Sequence, residues 1–182
     1  PLLILTHGHA DHIAGLSGAI ANRKVGAQWF QNVKRGTTAR FGEMNIKVLW
    51  PDTGSYDENN SSIAVRIDTP DFSLFAGGDM EPLTQAIIAP ELTGVDIYKV
   101  CHHGSAYQDE GFTRALDPQL ALISVGAENS YGHPAASTLA LLRQVGAKVL
   151  RTDTDGAIAV RARRHRLQVK TSKNRFTYLR WE

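Results

Sequence analysis

Four side chains able to bind a metal stand within six residues, His7-Gly8-His9-Ala10-Asp11-His12, directly after the apolar run Leu2-Leu3-Ile4-Leu5-Thr6. Such a run predicts a buried strand. A strand end holds its backbone rigidly, and the loop that follows lets neighbouring side chains converge. Imidazole and carboxylate are the ligands that borderline cations such as Zn²⁺ or Mn²⁺ accept. The H-x-H-x-D-H spacing offers His7 and His9 to one metal, and Asp11 and His12 to a second. A histidine-rich surface loop is the rival reading. Lone histidines are usually structural, but this cluster has a fixed spacing and partners downstream.

Those partners follow in order. Asn59-Asn60-Ser61-Ser62-Ile63-Ala64-Val65 precedes Leu74-Phe75-Ala76-Gly77-Gly78-Asp79, a short apolar strand ending in an aspartate. Tyr98-Lys99-Val100-Cys101-His102-His103-Gly104-Ser105 and Asn129-Ser130-Tyr131-Gly132-His133-Pro134 come next. The ordered set resembles the metallo-β-lactamase superfamily. The K-V-x-H-H-G-S and N-x-Y-G-H-P pair resembles, more narrowly, the hydrolase domain of the ComEC/Rec2 family of DNA-uptake proteins. The resemblance runs from Leu2 to the strand near Val160.

That resemblance implies an α/β fold, a metallo-β-lactamase-like αββα sandwich of two sheets with helices outside. In the superfamily several strands precede the H-x-H-x-D-H loop, whereas this sequence opens at Pro1 on the strand itself. The expectation is a single domain over residues 1–182 that lacks its N-terminal strands, with the parent membrane channel upstream. An incomplete first sheet would leave an unpaired edge for another segment to cover. The same resemblance places the domain on the extracytoplasmic, periplasmic face of an inner membrane.

Bulk properties agree with one soluble domain. The chain has 182 residues, 42% hydrophobic and 21% charged, the balance of an ordinary globular protein with a sizeable core. A single cysteine, Cys101, rules out an internal disulfide framework. No apolar run approaches the roughly 20 residues that span a bilayer, and no signal peptide is visible. Nothing in the motifs calls for a small organic cofactor.

Hydrophobic periodicity predicts strands at 2–6, 25–30, 46–50, 63–67, 72–75, 95–100, 120–125, 149–152, 157–162, 167–171 and 176–179. It predicts helices at 12–22, 81–92, 111–116 and 137–145, the last ending at Gly146. Arg40-Phe41-Gly42 and Asp153-Thr154-Asp155-Gly156 read as turns.

Two cations about 3.5 Å apart are the usual device for splitting a phosphodiester, because together they stabilise the attacking and leaving oxygens. The family resemblance makes Asp79 the bridge between them, and a carboxylate has two oxygens to do so. It also makes a histidine after the next strand a ligand of the second metal. His103 is favoured, one step further into the loop. His102 remains open as the ligand, the other histidine then facing the substrate phosphate. Neighbours in an extended chain point to opposite sides, so one metal is not expected to take both. Asp11 and His102 are candidate catalytic groups alongside His133, which stands before a helix and resembles a proton donor of related ribonucleases. Asn60, Ser61, Ser105 and Asn129 are candidate phosphate contacts. Where many superfamily members carry a further histidine ligand, this chain has Asn59-Asn60-Ser61-Ser62, which leaves one or two ions and either Zn²⁺ or Mn²⁺ open. Asp153 is a weaker candidate ligand, since it also makes sense as part of a turn.

The last 22 residues carry eight Lys and Arg against one acid, Glu182, so the remainder is slightly acidic. Arg161, Arg163, Arg164 and Arg166 would suit a phosphate backbone, and Phe176, Tyr178 and Trp181 could stack bases. A solvated edge hairpin explains the same charges. The resemblance implies a metal-dependent nuclease that degrades the strand of incoming DNA that is not taken up. Two rivals stay open: an esterase of phosphorylcholine or a lactonase on the same fold, and a non-catalytic module that guides DNA.

Overall fold

Alternation along the central strands sends every second side chain to the opposite face of one sheet, and both faces are covered. The computed structural model describes residues 1–54, 56–164 and 166–173, and the backbone of 177–178. The central sheet has seven strands in the order β3 (Thr38–Phe41), β4 (Met44–Trp50), β5 (Ala64–Asp68), β6 (Ser73–Ala76), β7 (Ile97–Lys99), β8 (Leu120–Ile123) and β9 (Lys148–Arg151). Pairing is antiparallel from β3 to β6 and parallel from β6 to β9.

Phe75, Tyr98 and Ala121 face the helices α3 (Pro82–Ile88), α4 (Glu110–Leu116) and α5 (Ala136–Gln144), which contribute Ile88, Phe112, Leu116 and Leu142 to one core. The alternate residues of the same strands face a second β layer made of two small sheets. In one, β1 (Leu2–Ile4) pairs parallel with β2 (Ala27–Trp29), and Leu2, Ile4 and Trp29 pack on Ile46, Val48 and Val65. In the other, β10 (Ile158–Arg163), β11 (Arg166–Thr171) and β12 (Thr177–Tyr178) run antiparallel, and Leu167 and Val169 pack on Ile97, Leu120 and Leu150. The fold is a mixed α/β sandwich with a mixed central sheet.

Three sequence expectations differ. The helix expected at 12–22 is two short pieces, α1 (Ala10–Ile13) and α2 (Leu16–Ile20), split at Ala14-Gly15. Neither buries a residue, and Ile13 and Ile20 are 36% and 42% exposed. Helices this short depend on packing against a core, and here that packing is absent. Arg40-Phe41 end a strand, and only Gly42, at φ +60, turns the chain into β4. Thr152–Asp155 form a helical turn, α6, which carries the chain from β9 in one sheet to β10 in another, so no hairpin joins those strands. Phe176, Trp181 and the side chain of Tyr178 lie outside the described residues. Among those described, no helix is long and apolar enough to cross a membrane.

Because β6 to β9 are parallel, their carboxyl ends share one edge of the sheet. The segments that leave that edge carry Asp79, His102 and His103, Ser124 and Val125, and Thr152. A parallel sheet presents its loops for ligand binding at this edge.

Candidate metal centre

Strand β1 hands over to the motif loop at Leu5, whose N–H donates to Trp29 O at 3.0 Å. The loop is pinned from below. The Gly8 N–H donates to the Glu58 carboxylate, and a Cβ at Gly8 would strike that same group at 2.6 Å. Thr6 Oγ1 lies 3.2 Å from Nδ1 of both His7 and His12, and Ser62 Oγ lies 3.2 Å from His7 Nδ1. With Nδ1–H given to these hydroxyl oxygens, Nε2 of each ring keeps its lone pair and faces inward; the tautomer is assigned from the network. His7 Nε2 then lies 3.1 Å from His9 Nδ1. His7 is buried, and burial together with the nearby His12 lowers its pKa to about 4. It is a neutral base at physiological pH.

Asp79 enters from the end of β6. Gly78 sits at φ +58, and a Cβ there would meet Ser62 Oγ at 2.7 Å and Thr6 Cβ at 2.9 Å. Only glycine lets this turn approach the motif loop so closely. The Asp79 N–H donates to Ser62 Oγ at 3.0 Å, so one hydroxyl ties Asp79 and His7 together. The Asp79 carboxylate is buried and ringed by imidazoles. Oδ1 lies 3.2 Å from His12 Nε2, and Oδ2 lies 3.6 Å from His103, 3.9 Å from His7 and 3.9 Å from His102. Burial pushes its pKa up, but the hydrogen bond from His12 and the charges of His12, His103 and His102, when those rings carry their second proton, outweigh that and leave it at about 2. It stays ionised.

His102 and His103 do not sit in extended chain. Both adopt left-handed backbone, φ 47 and φ 52, followed by Gly104 at φ 78. Consecutive left-handed residues curl the chain, so the two side chains do not point to opposite sides as expected. Both Nε2 atoms approach Asp79 Oδ2. Such backbone is costly for non-glycine residues and clusters at functional sites. His103 Nδ1 donates to the carbonyl of Ser124 at 2.7 Å, which fixes that ring's tautomer, since a carbonyl only accepts. His102 Nδ1 lies 3.3 Å from Glu81 Oε1, without the angle of a hydrogen bond.

One ligand atom each from Asp11, His12, Asp79 and His103 lies within 4.8 Å of all the others. His12 and His103 face each other Nε2 to Nε2 at 3.2 Å, and Asp11 Oδ2 lies 3.3 Å from His103 and 3.8 Å from His12. A tetrahedral cation with bonds near 2.1 Å has ligand-to-ligand edges of about 3.4 Å. Two lone pairs aimed at one another at this distance, beside two carboxylates, fit a divalent cation between them. Beside it, His7 Nε2 lies 3.1 Å from His9 Nδ1 and 3.9 Å from Asp79 Oδ2, and His102 Nε2 lies 3.9 Å from the same oxygen.

His133 stands beside this centre, its ring 5.6 Å from that of His102 and stacked with Tyr131 at 5.9 Å and 17°. Burial, then the charges of His102 and His103, lower its pKa. Asn129 staples its loop: Nδ2 donates to Gly126 O and His133 O, and Oδ1 accepts from His133 N. Its amide is thereby committed to backbone. Asn60 is likewise buried, with Oδ1 accepting from Glu81 N and Thr84 Oγ1 and Nδ2 donating to Asp57. Ser61 Oγ donates to Tyr56 O. Ser105 is buried and accepts from Tyr107 N. None of these four side chains is brought into the ligand cluster. Asp153 accepts two hydrogen bonds from Arg151, at 3.0 and 2.5 Å, and lies outside the cluster as well.

Thr6, Glu58, Ser62 and the Ser124 carbonyl have no motif of their own in the sequence, yet they set ring tautomers and the loop position. Such outer partners orient metal ligands in general. Thr6, which joins strand to motif, and Ser62, within Asn59-Asn60-Ser61-Ser62, stood in segments with a local signal, though not for this role.

No family model matches the chain. It is 30% identical to ComE operon protein 3 of Bacillus subtilis, over 87% of this chain and 24% of that protein. It is 27% identical to competence protein ComA of Neisseria gonorrhoeae, over 86% of this chain and 24% of that protein. Recombination protein 2 of Haemophilus influenzae matches at 24% identity, over 96% and 24% respectively. The chain thus spans about a quarter of the length of these relatives. Among solved structures, the metallo hydrolase Igni18 of Ignicoccus hospitalis covers 100% of this chain and 80% of its own, with a TM-score of 0.59 and 15% identity. CmlA, a diiron β-hydroxylase of Streptomyces venezuelae, covers 82% of this chain and 43% of its own, with a TM-score of 0.57 and 16% identity. At those identities the structural likeness speaks for the fold alone. Together they make the chain a homologue of competence proteins with the fold of metallo-hydrolases.

Proposed function

We propose that this chain, a homologue of ComEC-family competence proteins built on a metallo-hydrolase fold, is the metal-dependent nuclease unit of a DNA-uptake protein and degrades the strand that is not taken up. The observation that carries this reading is the convergence of Asp11, His12, Asp79 and His103 on one point, with His7, His9 and His102 beside them. In this reading Asp11, His12 and His103 would hold one divalent ion and His7 and His9 another, with Asp79 within reach of both sets. Zn²⁺ and Mn²⁺ both suit this mixture of imidazole and carboxylate. Bound there, such ions supply electrophilic stabilisation of the attacking and leaving oxygens of a phosphodiester.

The remaining roles fall to the chain itself. Asp11 has the most exposed carboxylate of the cluster and accepts a proton from the attacking water. His102, between Asp79 and His133, positions the phosphate. His133, made more acidic by its surroundings, donates to the leaving oxygen. The parent protein's channel is the source of substrate, and the unit works on the extracytoplasmic face of the inner membrane.

The outward face of the β10–β11 hairpin is basic, since Arg161, Arg163 and Arg166 are exposed while Val160, Ala162 and Leu167 turn inward. We assign it to the DNA backbone. The test is cleavage of single- and double-stranded DNA with added Zn²⁺, Mn²⁺ or Mg²⁺, as a function of salt. A nuclease is expected to lose kcat/KM steeply with salt, and the triple change of Arg161, Arg163 and Arg166 to Gln is expected to flatten the slope by about three contacts. Hydrolysis of choline phosphoesters or lactones with no cutting of DNA would mark the esterase reading as correct. DNA binding that persists in EDTA, with no cleavage under any metal, would mark a guiding module.

Ser62→Ala removes the hydroxyl that joins Asp79 N–H to His7 Nδ1. It is expected to lower metal affinity about 10- to 100-fold, the usual cost of losing an outer partner of metal ligands. Competition with a chromophoric chelator reads that change directly. An unaltered affinity would mean that Thr6 alone orients His7.

A further inference from the structure

Two cavities open beside the ligand cluster, of about 430 and 350 Å³. Both are bounded by Asp11 and His103, and the smaller also by His9, Asp79 and His102. Tyr131 and His133 line both. Tyr131 is 82% exposed, more than any other large apolar or aromatic residue described. Its ring is nearly parallel to that of His133, at 17° with the centroids 5.9 Å apart, and most of it is open to solvent. The backbone around it is tied down: Asn129 staples the loop to His133, and Gly132 at φ +72 makes the turn between Tyr131 and His133.

A largely exposed aromatic ring on a stapled loop at the rim of a polar, charged site is an unused apolar surface. The stacked rings of His133 and Tyr131 lead outward from His102 in steps of 5.6 and 5.9 Å. A nucleobase projects a similar distance from the phosphate of its own nucleotide. We propose that Tyr131 is a specificity-determining stacking platform for the base adjoining the scissile phosphate. This inference rests on the nuclease reading and deepens it. A base can lie on Tyr131 only if it has left its own helical stack, so the preferred substrate is unpaired, single-stranded nucleic acid. Stacking tolerates any base, and no sequence preference is expected from it.

The test pairs a protein change with a substrate change. Binding of a fluorescent thymidine oligonucleotide, and of the same oligonucleotide with consecutive abasic sites, is measured in EDTA, where no cutting occurs. Tyr131→Ala is expected to weaken binding of the intact strand about 5- to 150-fold, the range of base–aromatic stacking. Wild type should lose a similar factor on the abasic strand, and the variant should lose little more, because the two changes remove one contact. Tyr131→Trp should restore the intact-strand affinity, which a merely structural loop residue would not allow. Metal stoichiometry should match wild type in both variants. Equal losses for Tyr131→Ala on intact and abasic strands would overturn the platform, as would wild-type affinity in Tyr131→Ala. A protein that shows the stacking signature yet never cuts DNA would overturn the nuclease reading and leave the platform standing.

Discussion

Asp79→Asn is expected to empty the metal centre and to cut DNA turnover on the order of 10³-fold. The substitution keeps the size of the side chain and removes its charge. Four imidazole nitrogens, from His7, His12, His102 and His103, lie 3.2 to 3.9 Å from its two oxygens. An amide would leave those nitrogens facing one another with a single neutral acceptor among them. Metal electrophilicity is worth several kcal/mol of transition-state stabilisation, and about 1.36 kcal/mol is a factor of ten in rate. Elemental analysis of metal per chain, beside steady-state cleavage, reads both halves of the expectation. If metal content holds and turnover falls less than tenfold, Asp79 serves the fold and the two-ion assignment fails. The metal-free protein offers a separate check. The folded pKa of about 2 lies below the ordinary value of 3.8. The ionised carboxylate therefore contributes stability that is fully present above about pH 4 and is lost as pH falls through 2. That acid-side loss should vanish in Asp79→Asn.

What the sequence made legible follows from what is local. The strand before the motif, the parallel strands that end at Asp79 and His102, and the helix after Pro134 all follow from periodicity and turn residues within a short window. The resemblance to the metallo-β-lactamase superfamily and the ComEC group agrees with the homologues and the structural neighbours. The His102-His103 pair was opaque for a physical reason. Left-handed backbone is normally the province of glycine and asparagine, and nothing in His102-His103 announces two such residues ahead of Gly104. Alternation holds for extended backbone, which this pair does not adopt. Asn60 and Asn129 were plausible phosphate contacts by type, since an amide offers both donors and acceptors. Their partners are backbone groups and Asp57, Glu81 and Thr84, brought up by tertiary packing that no short window contains. Glu58 was invisible for the same reason, and Ser62, though part of the Asn59-Asn60-Ser61-Ser62 segment, showed no sign of its role as a tie between His7 and Asp79. They act on a loop about fifty residues earlier in the chain.

His133→Ala is expected to keep metal stoichiometry and to lose on the order of 10²–10⁴-fold in kcat on DNA, the range for a removed general acid. In the proposed reading the ring serves as proton donor and not as ligand. It lies outside the four-ligand cluster, beyond His102, against the outer ring of Tyr131. Its loop is fixed by Asn129 and not by a metal, so truncation at Cβ leaves the backbone bonds of the staple in place. Its lowered pKa makes the protonated ring a stronger acid, at the cost of a smaller protonated fraction near neutrality. The kcat of wild type on DNA should accordingly fall as pH rises through that lowered value, and the fall should be missing in His133→Ala. The decisive comparison changes the leaving group. A deoxyribose alkoxide needs a proton as it departs, whereas p-nitrophenolate leaves as a stable anion. On a p-nitrophenyl phosphodiester the loss in His133→Ala should therefore shrink to within about tenfold, since proton donation no longer limits departure. His9→Ala gives the contrasting pattern, losing metal and both activities together. Equal losses on DNA and on the activated ester would assign His133 to phosphate binding, and a lost metal ion would assign it to ligation; either result removes the proton donor from the mechanism.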